Sequence, residues 1–194
     1  MVALWVSLAV FVADGRRRGA PFGSLLDVGA RVAAVAFLGA LAESWLRGEP
    51  QTRPHLLGAL LAGALAAPWL APRYGLARST LFDAAGPAFL IGIAIVRVGC
   101  WQAGCCGGVI PGVPLLEAGL SLAAGCLLAL ARNPVPGTTA LLAVGSYALI
   151  RLAVDWLRGG PWWGLSEMQW VALLVLGGLA WLAFPKPRDA DSRG

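Results

Sequence analysis

Charge is scarce in this sequence. Only 13% of its 194 residues are Asp, Glu, Lys or Arg, and it holds one histidine, His55. Hydrophobic residues make up 58%, above the roughly 45–50% usual for a soluble domain. Long apolar runs separated by short polar breaks exclude a large soluble core and describe a polytopic membrane protein. Alternation of apolar and polar residues is also lacking. That excludes a closed barrel and leaves helices as the way to satisfy the backbone in lipid. The polar breaks are too short to hold a soluble domain, and there is no convincing internal repeat. Met1 to Ala13 has no basic n-region and no convincing small-residue cleavage site after it, so a short first span is expected there, not a signal peptide. The net charge of +5 calls for no nucleic acid, because the basic residues sit mainly in loops, as membrane orientation requires.

What is present is seven apolar stretches, roughly 1–13, 28–46, 55–71, 83–101, 114–131, 138–157 and 166–184. Pro and Gly mark the breaks, as in Gly48-Glu-Pro50, Pro72-Arg-Tyr-Gly75, Asn133-Pro-Val-Pro-Gly137 and Gly159-Gly-Pro161. The expected fold is all-α: one transmembrane domain of about seven helices over 1–184, followed by a polar, disordered tail over 185–194. Loops on one side hold Arg16, Arg17, Arg18, Arg73, Arg78, Arg132, Lys186, Arg188 and Arg193. Those on the other hold Arg47, Arg53 and Arg158. The richer side is expected to be cytoplasmic, which puts the N-terminus outside and the C-terminus inside.

That orientation brings Glu43, His55, Arg97, Cys100, Glu117, Arg151 and Asp155 to the outer half of the membrane. Ionisable side chains from five helices at one depth point to a single site. The local alternative is that each snorkels to the interface or pairs nearby, Glu43 and Arg158 above all.

Within this set, Arg97 and Arg151 stand out. Two forked guanidiniums can hold a phosphate bidentately, which Lys cannot match, and can stabilise charge on a departing phosphate. Arg151 and Asp155 are one helical turn apart and can pair. Arg97-Val-Gly99-Cys100 runs into Gly104-Cys105-Cys106-Gly-Gly108, three thiols within seven residues. They read three ways: a Cys100–Cys105 or Cys100–Cys106 bridge in an oxidising compartment, a nucleophile or substrate contact with its thiolate favoured by Arg97, or a metal or redox centre shared with His55. His55 suits a general base or an interfacial anchor. Glu117, one turn into its span, orients an Arg or favours the helix N-terminus. Cys126 reads as a small packing residue, Trp156, Trp162, Trp163 and Trp170 as an interfacial belt, and Gly58, Gly63, Gly86 and Gly92 as points of close helix approach.

Over roughly residues 55–180 these motifs resemble the prolipoprotein diacylglyceryl transferase family. Arg97-Val-Gly99-Cys100 with Gly104-Cys105 to Gly108 is similar to the family's Arg-x-Gly-Asn followed by Asn-x-Glu and Gly. Tyr147, Arg151 and Asp155 resemble its Tyr-x-x-x-Arg with an acidic residue four later. Pro114-Leu-Leu-Glu117 resembles its Pro-x-x-Leu-Tyr-Glu, with Leu116 where Tyr is usual, and Asp83 also has a counterpart. Cys100 stands where the family has Asn, and Cys105 where it has Glu. The family's His-Gly-Gly is replaced by Leu57-Gly58-Ala59, with His55 two residues before the expected position.

The resemblance implies seven spans and a multi-pass protein of the bacterial cytoplasmic membrane with its site facing outward. It implies an enzyme that moves a diacylglyceryl group from phosphatidylglycerol to the cysteine thiol of a lipoprotein precursor. Arg97, Arg151 and His55 would be catalytic. Gly99, Cys100, Cys105, Gly108, Glu117, Tyr147 and Asp155 would bind or orient the substrate. No metal or organic cofactor is expected. The residues also leave open a related transferase with a different acceptor, and a membrane thiol-redox or metal-binding protein using Cys100, Cys105 and Cys106.

Overall fold

A computed structural model describes residues 2–48, 56–104, 112–131, 135–157 and 167–183. Every regular element among them is an α-helix: α1 (Val2–Arg17), α2 (Phe22–Leu46), α3 (Leu56–Arg73), α4 (Arg78–Gln102), α5 (Val113–Leu130), α6 (Thr138–Leu157) and α7 (Glu167–Ala183). Four of these, α2, α4, α5 and α6, are long and apolar enough to cross a membrane. The expected tail over 185–194 lies outside the described residues.

Three boundaries differ from expectation by four residues or more, and one of them is the start of α2, at Phe22 and not at 28. The polar run Asp14 to Arg18 is not a loop: α1 continues through Arg17, and Arg18 Nε donates to Asp14 Oδ2 at 2.7 Å, one turn back. The helix then stops at Gly19, whose φ of +85° suits a residue without Cβ. The Ala20 N–H closes the turn onto the Gly15 carbonyl at 3.0 Å, a Schellman ending, and Pro21 directs the chain into α2. Gly75 ends α3 the same way, with φ +69° and the Leu76 N–H on the Ala71 carbonyl. Helix α4 begins at Arg78, five residues before the apolar stretch, because Arg78-Ser-Thr forms a polar first turn.

One of the two prolines inside α3 is accommodated by a partner. Pro72 has no N–H for the Pro68 carbonyl four residues back. Arg78 Nε donates to that carbonyl instead, at 3.1 Å, so the break costs no unsatisfied group.

Helix α4 is the hub of the bundle. Helices α5 and α6 pack against it and against each other, and α7 packs on α6. Helix α1 packs on α4 and α2, and the α2–α3 hairpin reaches α4 through α3. One buried cluster, including Phe11, Leu25, Val28, Ala71 and Leu81, fills the space among α1, α2, α3 and α4. A second, of Leu90, Leu128 and Ala143 with Phe89 and Tyr147 against it, lies among α4, α5 and α6. Small residues set the spacing. A Cβ on Gly86 would come within 2.9 Å of the Ala143 Cβ, and one on Gly92 would overlap the Ser7 hydroxyl. On Gly58 it would overlap the Gly39 carbonyl. Much of the remaining apolar surface points outward, with Leu65, Trp69 and Leu127 each about two-thirds exposed or more, as a lipid-facing surface requires.

Cys126 does not pack inside the bundle. It is exposed on α5, beside Gly125, whose α-carbon takes the buried position against Ile91 and Leu90. A one-residue step on a helix turns about 100°, enough to carry the thiol to the outer face.

Candidate functional site

The site is built where α4 and α6 end and α5 begins. Helix α5 starts at Gly112-Val113-Pro114, with Pro in the first turn, where its missing N–H costs nothing. One turn on, Glu117 is fully buried. A carboxylate so placed needs positive partners, and it has two. Arg97, in the last turns of α4, brings Nε to 2.9 Å from Glu117 Oε1. Arg151, on α6, brings Nη1 to 3.3 Å from Oε1 and 3.5 Å from Oε2. Arg151 also reaches along its own helix, with Nη2 3.0 Å from Asp155 Oδ1 and 3.1 Å from Oδ2.

Tyr147, Arg151 and Asp155 recur every four residues, so they stand one above another on a single face of α6. The Tyr147 ring meets the edge of Phe89 on α4, with centroids 5.1 Å apart and planes at 84°. Arg97, Arg151 and Glu117 all lie within electrostatic reach of the Tyr147 hydroxyl. Three helices therefore meet through one network of two guanidiniums, two carboxylates and a phenol. The side chains of Arg97 and Arg151 are only 13% and 12% exposed, so their charge is held largely out of solvent. Formal charges balance. Each guanidinium carries five N–H donors in a rigid fork, suited to oxygens of a phosphate or carboxylate.

A sequence model of prolipoprotein diacylglyceryl transferase matches residues 55–184, which is more than half of the chain and includes all three helices of this network. The chain belongs to the prolipoprotein diacylglyceryl transferase family. Neither the curated proteins nor the solved structures contain a match to it. Family membership makes it a transferase of the prolipoprotein diacylglyceryl type, acting in a membrane on a lipid and a lipoprotein precursor.

Against this frame, the structure brings together Arg97, Glu117, Tyr147, Arg151 and Asp155 from the residues singled out in sequence. Cys100 follows Arg97 by three residues on α4 and is partly exposed. Gly99 is exposed, and a Cβ added there would meet nothing, so it faces away from the network. His55, Cys105 and Gly108 lie outside the described residues. So do Cys106, Trp162 and Trp163, and with them the choice among bridge, nucleophile and metal centre.

Glu43 makes the local pairing that the sequence offered as the alternative to a shared site. It closes the α2–α3 hairpin: the Gly58 N–H donates to its Oε2 at 2.5 Å, and Arg47 Nη2 pairs with its Oε1 at 2.9 Å. Sequence inspection missed a second polar network at the opposite end of α4. Asp83 accepts from the Gly137 and Ala140 N–H groups at 2.8 and 2.9 Å. Arg18 approaches Asp83 at 3.4 Å and donates to Thr139 Oγ1 at 3.2 Å. The available signal was the i, i+4 pair Asp14 and Arg18, which marks a helix where a loop was expected. Arg31, nine residues into α2, was also passed over. Its guanidinium lies 5.2 Å from the Tyr74 ring centroid, a cation–π contact.

Proposed function

We propose that the chain takes phosphatidylglycerol from the outer leaflet of a bacterial cytoplasmic membrane and transfers its diacylglyceryl group to the cysteine thiol of a lipoprotein precursor. The observation that carries this reading is the bridging of Arg97 and Arg151 by the buried Glu117, in a chain of this family.

In this reading the lipid phosphate lies against the two guanidiniums. The thiol sulfur attacks the diacylglyceryl carbon bonded to the phosphate oxygen. A C–S bond forms, the C–O bond breaks, and the oxygen keeps the electron pair, so glycerol phosphate leaves. The negative charge that gathers on the phosphate is met by Arg97 and Arg151 in a poorly hydrated setting, where such stabilisation is strongest. The thiol proton passes to a base, for which the family resemblance nominates His55. Glu117, Asp155 and Tyr147 hold the guanidiniums in place, which spares reorganisation at the moment of reaction. No cofactor enters these steps. Cys100 and Cys105 stand where the family has Asn and Glu, and the family resemblance nominates them, with Gly108, for substrate contact.

The test is transfer itself. Purified protein is incubated with acyl-labelled phosphatidylglycerol and a peptide bearing a lipobox cysteine, beside the same peptide with serine. Label on the cysteine peptide alone supports the proposal. Labelling of neither peptide by a well-folded sample refutes the pairing of donor and acceptor.

A further inference from the structure

The second polar network shares α4 and α6 with the first. Asp83 is 2% exposed and both its oxygens are engaged: Oδ2 with the Gly137 N–H and Arg18, Oδ1 with the Ala140 N–H. The Gly137 and Ala140 N–H groups are donors of the first turn of α6, which have no acceptor within that helix. Asp83 therefore caps α6 from the side of a neighbouring helix, and Arg18 clasps both Asp83 on α4 and Thr139 on α6.

From this end an unbroken seam runs to the transferase site. Gly86 lies against Thr139 and Ala143, Phe89 against Tyr147, Tyr147 against Arg97, and Arg97 and Arg151 against Glu117. Helices α4 and α6 run parallel along it. Asp83 precedes Arg97 by fourteen residues, and Gly137 precedes Arg151 by the same number. Fourteen residues of helix span about 21 Å, so equal spans on both helices carry the register set at one end to the other.

We propose that Asp83 is a positioning residue for the transfer reaction: by capping α6 from α4 it fixes the separation of Arg97 and Arg151 at the opposite end of the seam. It never meets the substrate. It acts through two rigid helices whose relative height and rotation it pins, and Arg18 recruits α1 to the same joint. The kinetic part of this claim rests on the transferase activity proposed above, and the geometric part does not.

The experiment compares Asp83→Asn and Asp83→Ala with the wild type in the full chain. Spin labels are carried on non-cysteine handles placed at Val98 and Leu149, which are exposed on α4 and α6 near the site. Two quantities are read: the distance distribution between the labels, and kcat and KM for phosphatidylglycerol per folded molecule. Asn retains one acceptor oxygen and Ala none, so both effects should be graded, with Ala the larger. The distribution should broaden. In Asp83→Ala, kcat should fall roughly tenfold to a hundredfold, the scale of a misplaced catalytic group, with KM little changed.

A merely structural role lowers the amount of folded protein and leaves both readouts alone. An unaltered distribution in both variants overturns the proposal, as does a broadened one with wild-type kcat. If Asp83→Ala does not insert, Asp83→Asn carries the same comparison. If the wild type transfers nothing, the proposed function fails, and the distance measurement alone judges Asp83.

Discussion

Glu117 Oε1 stands 2.9 Å from Arg97 Nε at a fully buried position, and the same oxygen reaches Arg151. One carboxylate thus ties α4 to α6 through α5. Removing a partner from a buried ionic network costs about 3–5 kcal/mol, because an uncompensated charge is left behind. Glu117→Gln keeps the shape and loses the charge. It should lower the transfer rate roughly a hundredfold and reduce thermal stability, both measurable on protein purified in detergent. Wild-type values for both would show that the bridge is dispensable.

Arg151 splits its fork, Nη1 toward Glu117 and Nη2 toward Asp155. Lys keeps the charge and cannot span both carboxylates. Arg151→Lys should therefore insert normally and transfer lipid at least about tenfold more slowly, on the scale of a lost charge-assisted hydrogen bond. Rates of label transfer at equal amounts of folded protein check this.

Cys126 is exposed on α5 and outside the network. Cys126→Ala should leave both the transfer rate and the melting temperature unchanged within error. A large loss of either would mean that this face of α5 is covered by something that the bundle itself does not supply.

Gly86 admits Ala143 at the α4–α6 seam, where a Cβ would come within 2.9 Å. Gly86→Val should force the helices apart, at a cost of about 1–3 kcal/mol from overpacking. Reduced thermal stability, with slower transfer by the remaining folded protein, is the expected outcome of a melting curve paired with an assay.

Much of this organisation was legible in sequence. Seven apolar stretches correspond to the seven helices, though α2 begins six residues earlier than its stretch, and Arg97, Glu117, Arg151 and Asp155 stood out because ionisable groups in apolar stretches demand partners. Three things were not legible. Hydropathy gives depth but not position around the bundle, so it leaves Glu43 undecided between a shared site and the local pairing with Arg47 that the structure shows. Asp14 to Arg18 is polar enough to pass for a loop, and only the turn at Gly19 and Pro21 fixes where α1 ends. The joint of Arg18, Asp83 and Thr139 links residues 65 and 121 positions apart, and no local pattern announces such a pairing.

The most direct test of the two-arginine account is the rate at which Arg97→Ala transfers the diacylglyceryl group to a lipobox cysteine peptide, measured beside the wild type at equal folded concentration. The account predicts a loss of about a hundredfold or more, the scale of removing a preorganised charge from a developing anion. Transfer by Arg97→Ala at the wild-type rate would contradict it.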